Sequence, residues 1–140
     1  MIWFYLHVAA TWFMVGLIWL VQVVHYPLFN RIGREQFRAY EEAHTKAISL
    51  VVVPAMFLEL GTAIWLCVSP VEIMSGALAW VNLGLLLPVW LSTFLIQVPQ
   101  HQKLIEGFDE KAYRGLVGWN WLRTVLWSVR GVLLVYLQVA

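Results

Sequence analysis

The sequence predicts an all-α integral membrane protein, an antiparallel bundle of four spanning helices. Two observations carry that prediction. The 140 residues are 61% hydrophobic and only 12% charged, a balance suited to lipid rather than water. Four apolar runs each exceed the roughly 20 residues that cross about 30 Å of hydrocarbon. None alternates as a strand would, and helices then satisfy their backbone groups within the segment. The length suits one domain over residues 1–140. A net charge of +1 offers no basic surface for nucleic acid. The single cysteine, Cys67, has no internal disulfide partner and reads as a buried apolar thiol.

The first span covers about residues 2–24. Its start, "MIWFYLHVAATWF", lacks a basic segment and a cleavage site, so it reads as a retained helix. The charged stretch from Asn30 to Ala47 is helix-prone, with Gly33 as a break, and leads into the second span at about 47–71. "SPVE", from Ser69 to Glu72, has the form of a capping box with Pro70 in the first turn, which starts the third span at about 73–99. Gly107 is a helix stop and Asp109 an N-cap, making a tight hairpin into the fourth span at about 115–139. Pro54 and Pro88 fall inside spans and should kink them. No internal repeat is expected.

Orientation follows from the basic residues. Arg31, Arg34, Arg38 and Lys46 lie between spans one and two, and Lys103, Lys111 and Arg114 between spans three and four. The termini and the turn between spans two and three hold no Lys or Arg. The positive-inside rule then puts both charged connections in the cytoplasm and both termini outside, in a plasma membrane.

In lipid, polar side chains turn toward the protein interior. The first span with its flank carries His7, Thr11, Gln22 and His25; the second carries His44 and Glu59; the third carries Asn82, Thr93, Gln97 and His101; the fourth carries Asn120, Arg123 and Arg130. At 1.5 Å per residue, His25, His44 and His101 lie near the cytoplasmic boundary, with Gln22, Gln97 and Asn120 just below. Arg123 lies roughly 12 Å deep, Glu59 and Arg130 roughly 20–22 Å, and His7 and Asn82 roughly 25 Å. Two levels are thus expected: a histidine cluster, and a deeper cluster of Glu, Arg, His and Asn.

Glu59 is the one acidic residue well inside a span, so one or both arginines should pair with it. Such a pair can simply fix helix register, or it can shape a site for a polar or anionic ligand. The surplus arginine favours a further anion or carbonyl partner, unless its side chain snorkels to the interface. Three histidines at one level suit a transition metal (Fe, Cu or Zn) or haem, with Glu41 or Glu42 completing the set; the plain alternative is ordinary interfacial histidine. Trp3, Trp119 and Trp121 suit interfacial belts, whereas Trp12, Trp80, Trp90 and Trp127 either pack or line a pocket for a flat lipophilic molecule.

Four stretches, "QVVHYPLF", "YEEAHTKAISLVVVPAMFLEL", "VPQHQKLIEGFDEKAYRGLV" and "NWLRTVLWSVRG", cover about half the chain and resemble small bacterial four-helix membrane proteins grouped with the anthrone-oxygenase-like family. The resemblance implies a four-helix fold and oxidation of an aromatic or polyketide-like substrate. "LHV…G" in the first span and the polar start of the fourth are fainter likenesses to four-helix protoporphyrinogen oxidase. The spacing from His7 to Gly16 and the run "NWLRT" depart from that family's pattern, so neither its activity nor its haem carries over.

The expected function is a small membrane oxidoreductase acting on a hydrophobic molecule inside the bundle. His44 and His101 would hold a metal, His25 and Gln97 would contact the cofactor, and Glu59, Arg123 and Asn120 would orient the substrate. The alternative is a non-catalytic subunit of a larger membrane complex or a homo-oligomer in contact with membrane lipid. A transporter fits less well, because four helices enclose a small cavity.

Overall fold

A computed structural model describes residues 1–139. The chain is an all-α four-helix bundle, with no strand among the described residues. All four helices are long and apolar enough to cross a membrane: α1, Ile2–Phe29; α2, Arg34–Val68; α3, Gly76–Glu106; and α4, Glu110–Val139. Helix α1 packs on α2 and α4, and α3 packs on the same two, so chain order runs around the bundle. Short connections make sequential neighbours antiparallel. Large apolar side chains such as Phe13, Leu50, Phe57, Trp80 and Val132 stay exposed on the outside, as a lipid-facing surface requires.

The helices are longer than the apolar runs, because their charged ends continue the same helical path. Gly33 and Gly107 end that continuity as expected. Gly33 is the N-cap of α2. Gly107 has φ 149°, a region in which side-chain-bearing residues are strained. Asp109 caps α4, its carboxylate accepting from the Ala112 N–H at 2.6 Å.

The start of α3 differs from expectation. Ser69 still donates its N–H to the Trp65 carbonyl and so closes α2. The chain then reverses through Val71–Met74, burying Met74 completely against the cluster of Phe4, Leu66, Ala79 and Leu134. Burial of that side chain outweighs the local capping-box signal of "SPVE". Ser75 is the actual N-cap, accepting from the Leu78 N–H at 3.4 Å.

Proline acts at unexpected places. Pro54 and Pro88 sit within α-helical stretches, while the helical irregularities lie before Pro27 and Pro99. Val21–His25 in α1 and Thr93–Gln97 in α3 are single π-helical turns. Tyr26 donates its N–H to the Val21 carbonyl and Val98 to the Thr93 carbonyl, five residues back. A proline ring clashes with the carbonyl four residues before it, and one extra residue per turn relieves the clash. Each half of the chain therefore repeats one construction, unforeseen from sequence: a helix, a π turn, a proline two residues on, a glycine, then a helix carrying Ala-Tyr (Ala39-Tyr40 and Ala112-Tyr113).

Candidate functional site

Side chains inside the bundle form three polar levels. The deepest draws on all four helices. Arg130 donates to the Glu59 carboxylate, and both residues are fully buried. Thr11 Oγ1 donates to the same carboxylate at 2.9 Å and Trp127 Nε1 at 2.9 Å. Arg130 Nε donates to Asn82 Oδ1 at 3.1 Å, and Asn82 Nδ2 donates to His7 Nε2 at 2.8 Å. His7 Nε2 is thus an acceptor, and Nδ1 donates to Thr62 Oγ1 at 2.9 Å. Every member has partners, and the pair expected from depth, Glu59 with Arg130, is the one formed. Of this network only Trp127 reaches the cavity described below; Glu59 and Arg130 do not line it, which places Glu59 behind the site rather than in it.

The middle level belongs to Arg123. Its Nε and Nη2 both donate to Asn120 Oδ1, at 3.0 and 2.6 Å, and its Nη1 donates to Thr93 Oγ1 at 3.1 Å. Asn120 Nδ2 in turn donates to Gln22 Oε1 at 2.9 Å. Asn120 therefore fixes the guanidinium rather than lining the cavity. Among the described residues no carboxylate pairs with Arg123, although only 6% of it is exposed. Three of its five N–H groups bond to Asn120 and Thr93, and the Tyr26 hydroxyl lies beside the same guanidinium.

The third level is the histidine cluster. His25 Nε2 and His44 Nδ1 lie 2.9 Å apart in a hydrogen bond. His101 Nδ1 bonds to Glu41, and its Nε2 bonds to the Tyr26 hydroxyl at 3.1 Å. The His44 and His101 rings lie with centroids 5.5 Å apart, tilted by 38°. Tyr40 stacks parallel to His44, and Phe29 meets it edge-on, so the ring is braced on both sides. Ligand-capable atoms of Glu41, His44 and His101 all lie within 4.8 Å of one another. Glu41 is fully buried, and its Oε2 and the Nε2 of His44 have no hydrogen-bond partner. Glu42 instead pairs with Arg38 on the exposed face. His25 sits one bond back, orienting His44.

A cavity of about 190 Å³ joins the upper two levels. Tyr26, His44, Thr93, Gln97, His101 and Arg123 line its polar end, and Met14, Val52, Met56, Trp90 and Trp127 are among the residues of its apolar body. Gln97 lies in the π turn of α3, the one extra residue of which turns its amide inward. Its Oε1 accepts from Ser92, while its Nε2 is buried without a partner. The sequence pointed to Gln97, His101 and Arg123, but not to Tyr26, Glu41 over Glu42, or the indole of Trp127 as a partner of Glu59. The signal available for Tyr26 and Gln97 was the proline that follows each within two residues, in "HYP" and "QVP".

No known protein family, curated protein or solved structure matches the chain.

Proposed function

We propose that the chain is a small metal-dependent oxidoreductase of a bacterial plasma membrane, acting on a lipophilic molecule held in the bundle cavity. One observation carries this reading: two imidazoles and a carboxylate, from His44, His101 and Glu41, lie together, the two imidazoles lining the polar end of an apolar cavity, and two of their candidate ligand atoms are buried without partners. Burying polar atoms without partners is costly, and a metal ion relieves that cost.

The donor set is that of the two-histidine, one-carboxylate sites that leave positions open for substrate and dioxygen on Fe(II). The same three ligands also serve Zn(II), which has no redox chemistry, so the identity of the metal decides between oxidation and hydrolysis. His25 and Tyr26 would hold the two metal-binding imidazoles by their second nitrogens, as outer-shell partners do. Likeness to the anthrone-oxygenase-like group supports oxygen chemistry on an aromatic substrate. Both charged connections face the cytoplasm in this reading, and both termini lie outside.

Substrate oxidation tests it. Protein loaded with Fe(II) and incubated aerobically with a membrane lipid extract and ascorbate, which supplies the two electrons that reduce the second oxygen atom of dioxygen to water, should yield products one oxygen atom heavier, detected by mass spectrometry. Protein loaded with Zn(II), and His44→Ala loaded with Fe(II), should yield none. Equal product from all three would remove the oxidoreductase assignment.

A further inference from the structure

The two arginines of α4 differ in a way that points to the ligand. Arg130 is neutralised inside the protein by Glu59 and does not line the cavity. Arg123 is nearly as buried, lines the cavity, and donates to two neutral oxygens, with no carboxylate partner among the described residues. A buried cation without a counter-charge is unfavourable, and its missing anion must come from what enters the cavity.

Two further residues of the cavity wall, Gln97 and Trp90, each carry a buried side-chain N–H group without a partner. Gln97 is only 2% exposed, so water on the outer surface does not satisfy it. An occupant that accepts from all three is an oxyanion. The remaining wall is apolar, so the rest of the occupant is hydrocarbon or an aromatic ring system.

The way in is sideways. Ser49, Val53 and Phe57 on α2 and Phe94 and Val98 on α3 line the cavity and are exposed on the outer face of the bundle. The π turn of α3 packs on α4 rather than on α2. An opening between two apolar helices meets lipid rather than water.

We propose that the cavity binds an amphiphile bearing a carboxylate or phosphate, taken from the membrane between α2 and α3, with its oxyanion seated on Arg123, Gln97 and Trp90. This rests on the cavity being the substrate site and names the class of molecule that occupies it. The seat lines the same cavity as His44 and His101.

The test uses full-length protein, freed of metal by chelation, in a non-ionic maltoside detergent. Dodecanoate, dodecyl phosphate, dodecanol, dodecyltrimethylammonium and phosphatidylglycerol are titrated, and partition into empty micelles is subtracted. The oxyanions should bind at least about tenfold more tightly than dodecanol, and the cation should not bind. Arg123→Gln should erase that preference, lowering the affinity for the oxyanions to about that for dodecanol. Trp90→Phe, which keeps the ring and loses the N–H, should weaken anion binding alone. Tighter binding of phosphatidylglycerol than of dodecyl phosphate assigns a two-chain lipid, and the reverse a free single-chain oxyanion. Equal affinity for anion and alcohol, or a preference that survives Arg123→Gln, overturns the proposal. Because metal is absent throughout, failure of metal binding and failure of this seat are separate results.

Discussion

Arg130 and Glu59 meet in an ion pair in which neither side chain has exposed surface. The carboxylate also accepts from Thr11 and Trp127, and the guanidinium also donates to Asn82. One polar knot therefore ties α1, α2, α3 and α4 together at a single level, and it fixes the register from which the cavity above is built.

Breaking this pair should cost more than any exposed change. Glu59→Gln strands the buried Arg130 cation, with a loss on the order of 3–5 kcal/mol. Glu72→Gln, on the exposed turn before α3, should stay within about 0.5 kcal/mol. Chemical denaturation in detergent measures both. Replacing Glu59 and Arg130 together by methionine should cost less than either single change, because no lone charge is left buried.

The two arginines should separate under the same substitution. Arg130→Gln strands a buried carboxylate and should lose about 3–5 kcal/mol. Arg123→Gln removes a cation held by the neutral oxygens of Asn120 and Thr93, and should lose about 1–2 kcal/mol at most in ligand-free protein. Equal losses would mean that Arg123 has an anionic partner within the protein.

Membrane orientation is open to direct labelling. The sequence places seven basic residues in the two charged connections and none on the opposite side. In a Cys67→Ala background, single cysteines at Arg34 or Lys111 should be shielded from an impermeant thiol reagent in intact cells, while one added at the C-terminus should react. The reverse pattern would invert the topology.

Gly107 and Gly33 make a matched pair for backbone strain. Both have open space where a Cβ would stand. Gly107 has φ 149°, whereas Gly33 has φ −56°. Gly107→Ala should therefore lower stability by about 1–3 kcal/mol from conformation alone. Gly33→Ala should cost only a few tenths of a kcal/mol, much as other exposed changes do. Thermal denaturation of the two variants side by side measures the difference.

Much of the architecture was legible because lipid imposes simple rules. Four apolar runs gave four helices, and polar residues inside them marked the interior face, so His7, Glu59, Asn82, Asn120 and both arginines were all found buried. Depth counting alone picked Arg130 for Glu59. Details that depend on packing were not legible. The turn at Val71–Met74 answers to the burial of Met74, not to the local "SPVE" signal. The π turns answer to prolines that lie beyond the irregularity they cause, which hid both the inward turn of Gln97 and the common plan of the two halves. Choosing Glu41 over its neighbour Glu42 required knowing which face of α2 meets α3, and adjacent residues differ there by about 100° of helical rotation.

The central claim is that Glu41, His44 and His101 bind one transition-metal ion, and metal stoichiometry tests it most directly. Purified protein is loaded separately with Fe(II), Cu(II) and Zn(II), freed of excess ion, and analysed for bound metal, alongside His44→Ala, His101→Ala, Glu41→Gln and Tyr26→Phe. One ion per chain should remain, with X-ray absorption showing imidazole and oxygen ligands. The three ligand variants should lose it, and Tyr26→Phe should weaken binding by about 10–100-fold. Protein that holds none of the three metals, or that holds one unchanged in all four variants, would contradict the account.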